Sequence, residues 1–236
     1  MKKRLLSLLL ALTLCLALLP GVALAATSVT NEQQLRDAVA SGGEIQLVNT
    51  ITINSTLTIE SGKTVTLDLN GHVLKMDGSG SAIAVNDGAV LTIKDSPSEL
   101  THKFIKDDAR YILDETNGTE TIQRGVIIGG TGTVKGKFTY GGCVNNNGMF
   151  TMDGGTIYGA QCGIHVGGTP KSTVKISGGE INADETALFA KQGSSVSLSG
   201  GTFTAGQNAL AAGESTMKGW LAKGYDMIGA DLPGGF

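Results

Sequence analysis

The chain has 236 residues, of which 35 are glycine, 5% aromatic and 17% charged, and its formal net charge is −3. That length suits one extended domain, and glycines without a three-residue period exclude a collagen. Without Lys2, Lys3 and Arg4 at the N-terminus, 15 basic side chains face 21 acidic ones, so neither nucleic acid nor an anionic membrane is the expected partner.

Residues 1–25 read as a secretory signal. Lys2-Lys3-Arg4 is the basic part, Leu5 to Leu19 the apolar part, and Ala23-Leu24-Ala25 supplies small residues for cleavage after Ala25. The apolar run is short for a membrane span of about 20 residues. The mature protein is therefore expected to be secreted or at the cell surface, with no membrane segment. Residues 26–43 follow as an N-terminal cap. Thr30-Asn31-Glu32-Gln33 has the form of a capping box led by Thr30, Leu35, Ala38 and Val39 make one apolar stripe, and Gly42-Gly43 ends the helix.

From residue 44 to 213 the pattern is that of short strands. Ile51-Thr-Ile, Leu57-Thr-Ile, Val65-Thr-Leu-Asp-Leu and Leu91-Thr-Ile alternate apolar with polar residues, and Asn70-Gly71, Asp77-Gly78 and Asp87-Gly88 mark corners. Residues 95–124 interrupt the alternation and read as an inserted loop carrying His102, Asp107, Asp108, Arg110 and Asp114. A repeat then follows. Gly132-Thr-Val, Gly155-Thr-Ile, Gly179-Glu-Ile and Gly201-Thr-Phe recur at intervals of 23, 24 and 22 residues. The last three are preceded by Phe150-Thr-Met-Asp-Gly-Gly, Val174-Lys-Ile-Ser-Gly-Gly and Val196-Ser-Leu-Ser-Gly-Gly. A fixed period in the twenties, with three short strands and no room for a helix, predicts an all-β parallel β-helix. Val134, Ile157, Ile181 and Phe203 are expected to stack inside it. Residues 214–236 are read as a C-terminal cap and tail, with a short helix over Ser215 to Lys223 and Trp220 covering the last coil. Cys143 and Cys162 fall on different positions of successive coils and are expected as two free thiols.

The Phe-Thr-Met-Asp-Gly-Gly-Thr-Ile phrase, Thr64-Val-Thr-Leu-Asp-Leu-Asn-Gly-His72 and Leu221-Ala-Lys-Gly-Tyr225 resemble those of secreted bacterial right-handed parallel β-helix repeat proteins with the pectate-lyase-like fold. The resemblance covers roughly residues 28–225. It implies the fold strongly and the activity weakly, since the group holds lyases and glycosidases beside surface proteins with no known catalysis.

Lyase chemistry would need clustered carboxylates for Ca²⁺ and a base, and glycosidase chemistry two or three converging carboxylates. The outward rows, read from the alternation, contain neither. They run Lys135, Tyr158, Asn182, Thr204; then Asn145, His165, Phe189, Ala211; then Thr151, Lys175, Ser197. The expected function is therefore a non-catalytic secreted or cell-surface protein, adhesive or carbohydrate-binding, with a polysaccharide or a host or cell-surface glycan as partner. The expected binding residues are Tyr158, His165 and Phe189 as rings, with Asn182 and Lys175 as hydrogen-bonding groups. The alternative is a polysaccharide lyase or glycoside hydrolase in which Asp107, Asp108, Arg110 and Asp114 of the insertion hang over a groove. A third reading, ice binding, would need regular Thr ladders, which these mixed rows do not provide. No catalytic residue, cofactor motif or metal-ligand spacing is legible, and the corners lack the Asp-bearing nonapeptide of calcium β-rolls. The melting temperature is accordingly expected to be the same in millimolar Ca²⁺ and in chelator; a sharp rise with Ca²⁺ would identify a structural metal site.

Overall fold

The computed structural model describes residues 25–107, 110–129, 142–212, 217 and 219–224. They form a parallel β-solenoid of about six turns. The strands of each coil contribute to three parallel sheets. The first sheet begins with Thr27–Val29, Gly43–Leu47 and Thr64–Asp68, and continues through Val90–Lys94, Met149–Met152, Thr173–Ile176 and Ser195–Leu198. The second contains Ile51–Ile53, Val73–Met76, Val126–Ile128, Thr156–Gly159, Glu180–Ala183 and Thr202–Ala205. The third contains Leu57–Ile59, Ile83–Val85, Gly142–Asn146, Cys162–Val166, Thr186–Ala190 and Asn208–Ala212.

The inner face is a set of stacked apolar ladders. On the second sheet, Ile51, Leu74, Ile127, Ile157, Ile181 and Phe203 lie in register, one per coil. Successive members are about 4.8 Å apart, the inter-strand spacing of any sheet. Ile157 and Ile181 are fully buried and Phe203 is partly so. The member before Ile157 is Ile127, not Val134, because Val126–Ile128 is the strand paired with Thr156–Gly159. Gly125-Val-Ile and Gly132-Thr-Val both fit the repeating phrase, and the interval of 23 favoured the second. The true interval is longer because residues 130–141 fall between two strands of that coil; Val134 lies outside the described residues.

Glycine sets the corner between the first and second sheets. Gly155, Gly179 and Gly201 have φ of 81°, 86° and 93°, a left-handed conformation that other L-residues adopt at a cost. A Cβ on Gly155 would also lie 2.8 Å from Leu69 Cδ1, and one on Gly179 2.6 Å from Met152 Cε. The repeated Gly-Gly is thus both a turn and a place of close packing.

At the N-terminal end, the helix Glu32–Ser41 covers the core with Leu35, Ala38 and Val39. The capping residue is Asn31, one position later than the sequence pattern suggested. Its side chain accepts from the Gln34 N–H at 3.0 Å, while Gln34 Oε1 accepts from the Thr30 N–H and hydroxyl. At the other end Trp220 is buried against the last coil. The predicted helix there is not what the described residues form, since Leu221 makes a parallel bridge with Leu198 and the Leu198 N–H donates to the Trp220 carbonyl.

The insertion is a sheet rather than a loop. Arg110–Leu113, His102–Asp107 and Glu120–Ile122 pair antiparallel, in that spatial order. Asp95 closes its neck: one carboxylate oxygen accepts from the Gly71 N–H and the other from the Gly125 N–H, each at 2.8 Å. The solenoid's strand order therefore continues past the insertion without a break in register.

Ile157→Ala is expected to cost about 2–5 kcal/mol, the usual range for emptying a packed core position, read as a lower urea midpoint. Ile157→Asp is expected to abolish folding, because its neighbours in register, Ile127 and Ile181, are apolar and offer a carboxylate no partner.

Candidate functional site

The second sheet's outer face carries an unusual run. Val126, Ile127 and Ile128 are all buried. Ile127 faces the solenoid core, so Val126 and Ile128 face outward, together with Val73 and Tyr158 of the neighbouring coils. The insert sheet covers them. Phe104 joins these four in a second apolar cluster, with Tyr111, Leu113 and Ile122 packed against it. Tyr111 stacks on Tyr158 with centroids 3.9 Å apart and planes 15° from parallel. Phe104 meets Tyr158 edge-on at 5.8 Å. Burial of the Tyr158 phenol, with Tyr111, Glu180 and Glu120 nearby, raises its pKa well above the ordinary range.

Where the insert sheet stops, a cleft of about 300 Å³ opens between its edge and the solenoid's last coils. Lys106 and Tyr111 form one wall; Asn182 and Thr204 with Asp184 form the floor and far end, and Gly159, Ala183 and Gly206 leave the floor flat. The wall is fixed from behind by the Tyr111–Tyr158 stack. Lys106 and Tyr111 are cross-strand partners of one hairpin, and the Lys106 ammonium lies 5.6 Å from the Tyr111 ring centroid. Among the described residues Lys106 pairs with no carboxylate. Asn182 is 7% exposed and donates to Glu180 Oε1 at 3.0 Å; Glu180 Oε2 lies 3.8 Å from Arg124 at the exit of the insertion.

The residues singled out from the sequence are spread over three sheets. Asn182 lines the cleft. Tyr158 is outward-facing as expected but lies beneath Tyr111 and is 6% exposed. His165 and Phe189 are stacked at 5.6 Å on the third sheet, and Lys175 is exposed on the first. For these residues the alternation matched the facing and could not predict the cover; Lys135, also read as outward, lies outside the described residues. In the insertion, Asp107 and Arg110 are opposed at the hairpin tip, and Asp108 lies outside the described residues. Asp114 is at the root, level with Lys103, about 13 Å from Asp107 along the strand. It caps a turn by accepting from the Asn117 and Thr116 N–H groups, which hold its carboxyl below the usual range. His102 is not solvated. Its ring bridges Glu115 Oε1 and the Gly71 carbonyl, each at 2.7 Å, and ties the insert sheet to a solenoid corner.

Lys106, Tyr111 and Asp184 were not legible as site residues. The signal was present in part: His102-Lys-Phe-Ile-Lys alternates, and three consecutive apolar residues at 126–128 imply a strand buried on both faces.

Among the described residues, no group of three His, Cys, Asp or Glu side chains could hold a metal ion. Cys143 and Cys162 are free and buried, and burial pushes the Cys162 thiol up to about 12. The class defined by fold and site is a β-solenoid with a sheet-shaped insertion over one face. Compared with protein-family models, curated proteins and solved structures, the chain matches none.

Burial, with Lys191 nearby, lowers the pKa of His165 from 6.5 to about 4. The unfolded chain takes up this proton near 6.5, and the folded chain resists it until about 4. The contribution to stability is therefore complete above about 6.5 and is lost as pH falls through 4, at most about 3 kcal/mol. The urea midpoint should fall over that window, and His165→Gln should flatten this limb; an unchanged limb in the variant would assign it to other groups.

Proposed function

We propose that this is a non-catalytic protein of the cell exterior that binds a glycan chain in the cleft beside Tyr111. The observation that carries the reading is the cleft's composition. An aromatic ring suits the C–H face of a sugar. Around it stand the Lys106 ammonium, which pairs with no carboxylate among the described residues, the Thr204 hydroxyl and the Asn182 amide, which match sugar hydroxyls as donors and acceptors. The wall and floor are strands rather than mobile loops, so little ordering entropy opposes binding.

The acids near the cleft favour binding over turnover. Among the described lining residues Asp184 is the one carboxylate, where glycosidase chemistry calls for two or three converging acids. Export rests on the basic and apolar pattern of residues 1–25.

The test is a glycan array probed with the mature protein, followed by titration of the best ligand. Tyr111→Ala, with folding checked by circular dichroism, is expected to weaken binding by about five-fold, the loss of one stacking contact of about 1 kcal/mol. Ser197→Ala, on the first sheet's outer face, should leave affinity unchanged. Equal affinity of the Tyr111 variant would move the site elsewhere, and unsaturated product from polygalacturonate would overturn the non-catalytic part of the reading.

A further inference from the structure

Among the described lining residues Asn182 is the one side-chain amide, and its two ends are committed differently. Its Nδ2 donates to Glu180 Oε1 at 3.0 Å. A carboxylate oxygen only accepts, so the nitrogen must be the end that faces Glu180. The Oδ1 is then left on the opposite side. Among the described residues it accepts no hydrogen bond, and although the residue as a whole is only 7% exposed this oxygen is not fully buried, so it is open to the cleft. An acceptor left open in so enclosed a residue is one of the places where a ligand's donor can be satisfied. The neighbours in register, Tyr158 below and Thr204 above, leave Asn182 at the centre of the floor.

Glu180 is itself held in place. It is the first residue of the strand Glu180–Ala183, and its second carboxylate oxygen is 3.8 Å from Arg124, the last charged residue of the insertion before the chain returns to the solenoid. The carboxylate therefore links the root of the insert sheet to the amide in the cleft floor.

We infer that Glu180 is a positioning residue that locks the Asn182 amide with its carbonyl oxygen toward the cleft, so that the bound sugar must donate a hydroxyl hydrogen there while Lys106 on the opposite wall donates to it. This rests on the glycan reading of the cleft and deepens it. The cleft has a polarity, acceptor at the floor and donor at the wall, and a sugar with its hydroxyl at the floor position removed or methylated is excluded. A sugar that only accepts there meets an acceptor and leaves it unpaired, the kind of mismatch that sites built on buried polar groups reject most strongly.

The orientation is measured without any ligand. In ¹⁵N-labelled protein the Asn182 side-chain amide resonances should shift in Glu180→Ala, and less in Glu180→Gln, while backbone resonances of the solenoid away from the strand stay in place. An Asn182 amide that does not sense Glu180 overturns the inference. The ligand half is read on an array of hexose oligomers that includes deoxy and O-methyl derivatives. Wild type should bind at least one parent glycan and lose it when one particular hydroxyl is removed or methylated. Glu180→Ala should weaken the parent by about five-fold, as loss of one oriented hydrogen bond does, and lose the discrimination between parent and derivative. Glu180→Gln, whose amide oxygen still accepts from Asn182 Nδ2, should retain more of both. Binding that is equally strong and equally selective in Glu180→Ala overturns the positioning role even if Asn182 senses the carboxyl. A blank array with the amide response to Glu180→Ala present overturns instead the reading of the cleft as a sugar site, and the ligand half with it.

Discussion

Everything in this molecule depends on the parallel register of one coil on the next. Each strand takes its hydrogen bonds from the coils on either side, so the ladder from Ile51 to Phe203 is a single column whose members are fixed by their neighbours. A slip of one residue would exchange Ile157 for Tyr158 in the core and carry every other outward residue with it. Stability of this kind is a sum of coil-to-coil interfaces rather than of long-range contacts. The ends of the column are where it is vulnerable, and both carry covers: the helix Glu32–Ser41 at one, Trp220 and the Leu198–Leu221 bridge at the other.

The same constraint explains how an insertion is accommodated. The chain leaves the column after Val90–Lys94 and returns at Val126–Ile128. The register survives because Asp95 holds both the corner it leaves and the strand it returns to, accepting from Gly71 and Gly125. Asp68 reinforces the exit, accepting from Ser96 and Asn70; burial opposes its ionisation, but these donors outweigh it and keep its carboxyl below the usual range. Beyond this neck the insert sheet needs an apolar surface of its own, and the outward row of the second sheet supplies it in Val73, Val126, Ile128 and Tyr158. The solenoid thus has one face that is apolar on both sides.

That two-sided strand marks the boundary of what the sequence could tell. The repeat phrases, the Gly-Gly corners and the alternation specify the coils directly, because side-chain facing follows from period two and corner geometry from glycine. Facing is a local property. Cover is not: Tyr158 and Asn182 occupy equivalent outward positions of successive coils, yet one lies under Tyr111 and the other lines the cleft beside it. The start of the third coil was misplaced for a related reason. Gly125-Val-Ile and Gly132-Thr-Val fit the same phrase, and only pairing with Thr156–Gly159 distinguishes them. Within the insertion, charge obscured a hairpin whose inner row carries Phe104, Tyr111 and Leu113 together with Lys106, so that apolar residues and a charge share one face.

The cleft follows from an imbalance of lengths. The second sheet extends through Glu180–Ala183 and Thr202–Ala205, but the insert sheet ends at its Arg110–Leu113 strand, over the coil of Tyr158. The floor therefore continues past the wall, and the step between them is bounded by rigid strands on both sides. Such a step offers what a flat solenoid face lacks, an aromatic side chain standing above the floor instead of lying in it. Tyr111 can stand there because Tyr158 supports it from below, so the buried tyrosine read from the sequence as a contact residue serves the cleft through the one above it. The wall is also anchored away from its free edge, by His102 to Gly71 and by Arg124 to Glu180. Tyr111 belongs both to the packing on the solenoid and to the lining of the cleft, which leaves Lys106 and Thr204 as the lining residues open to variation in chemistry without loss of the fold.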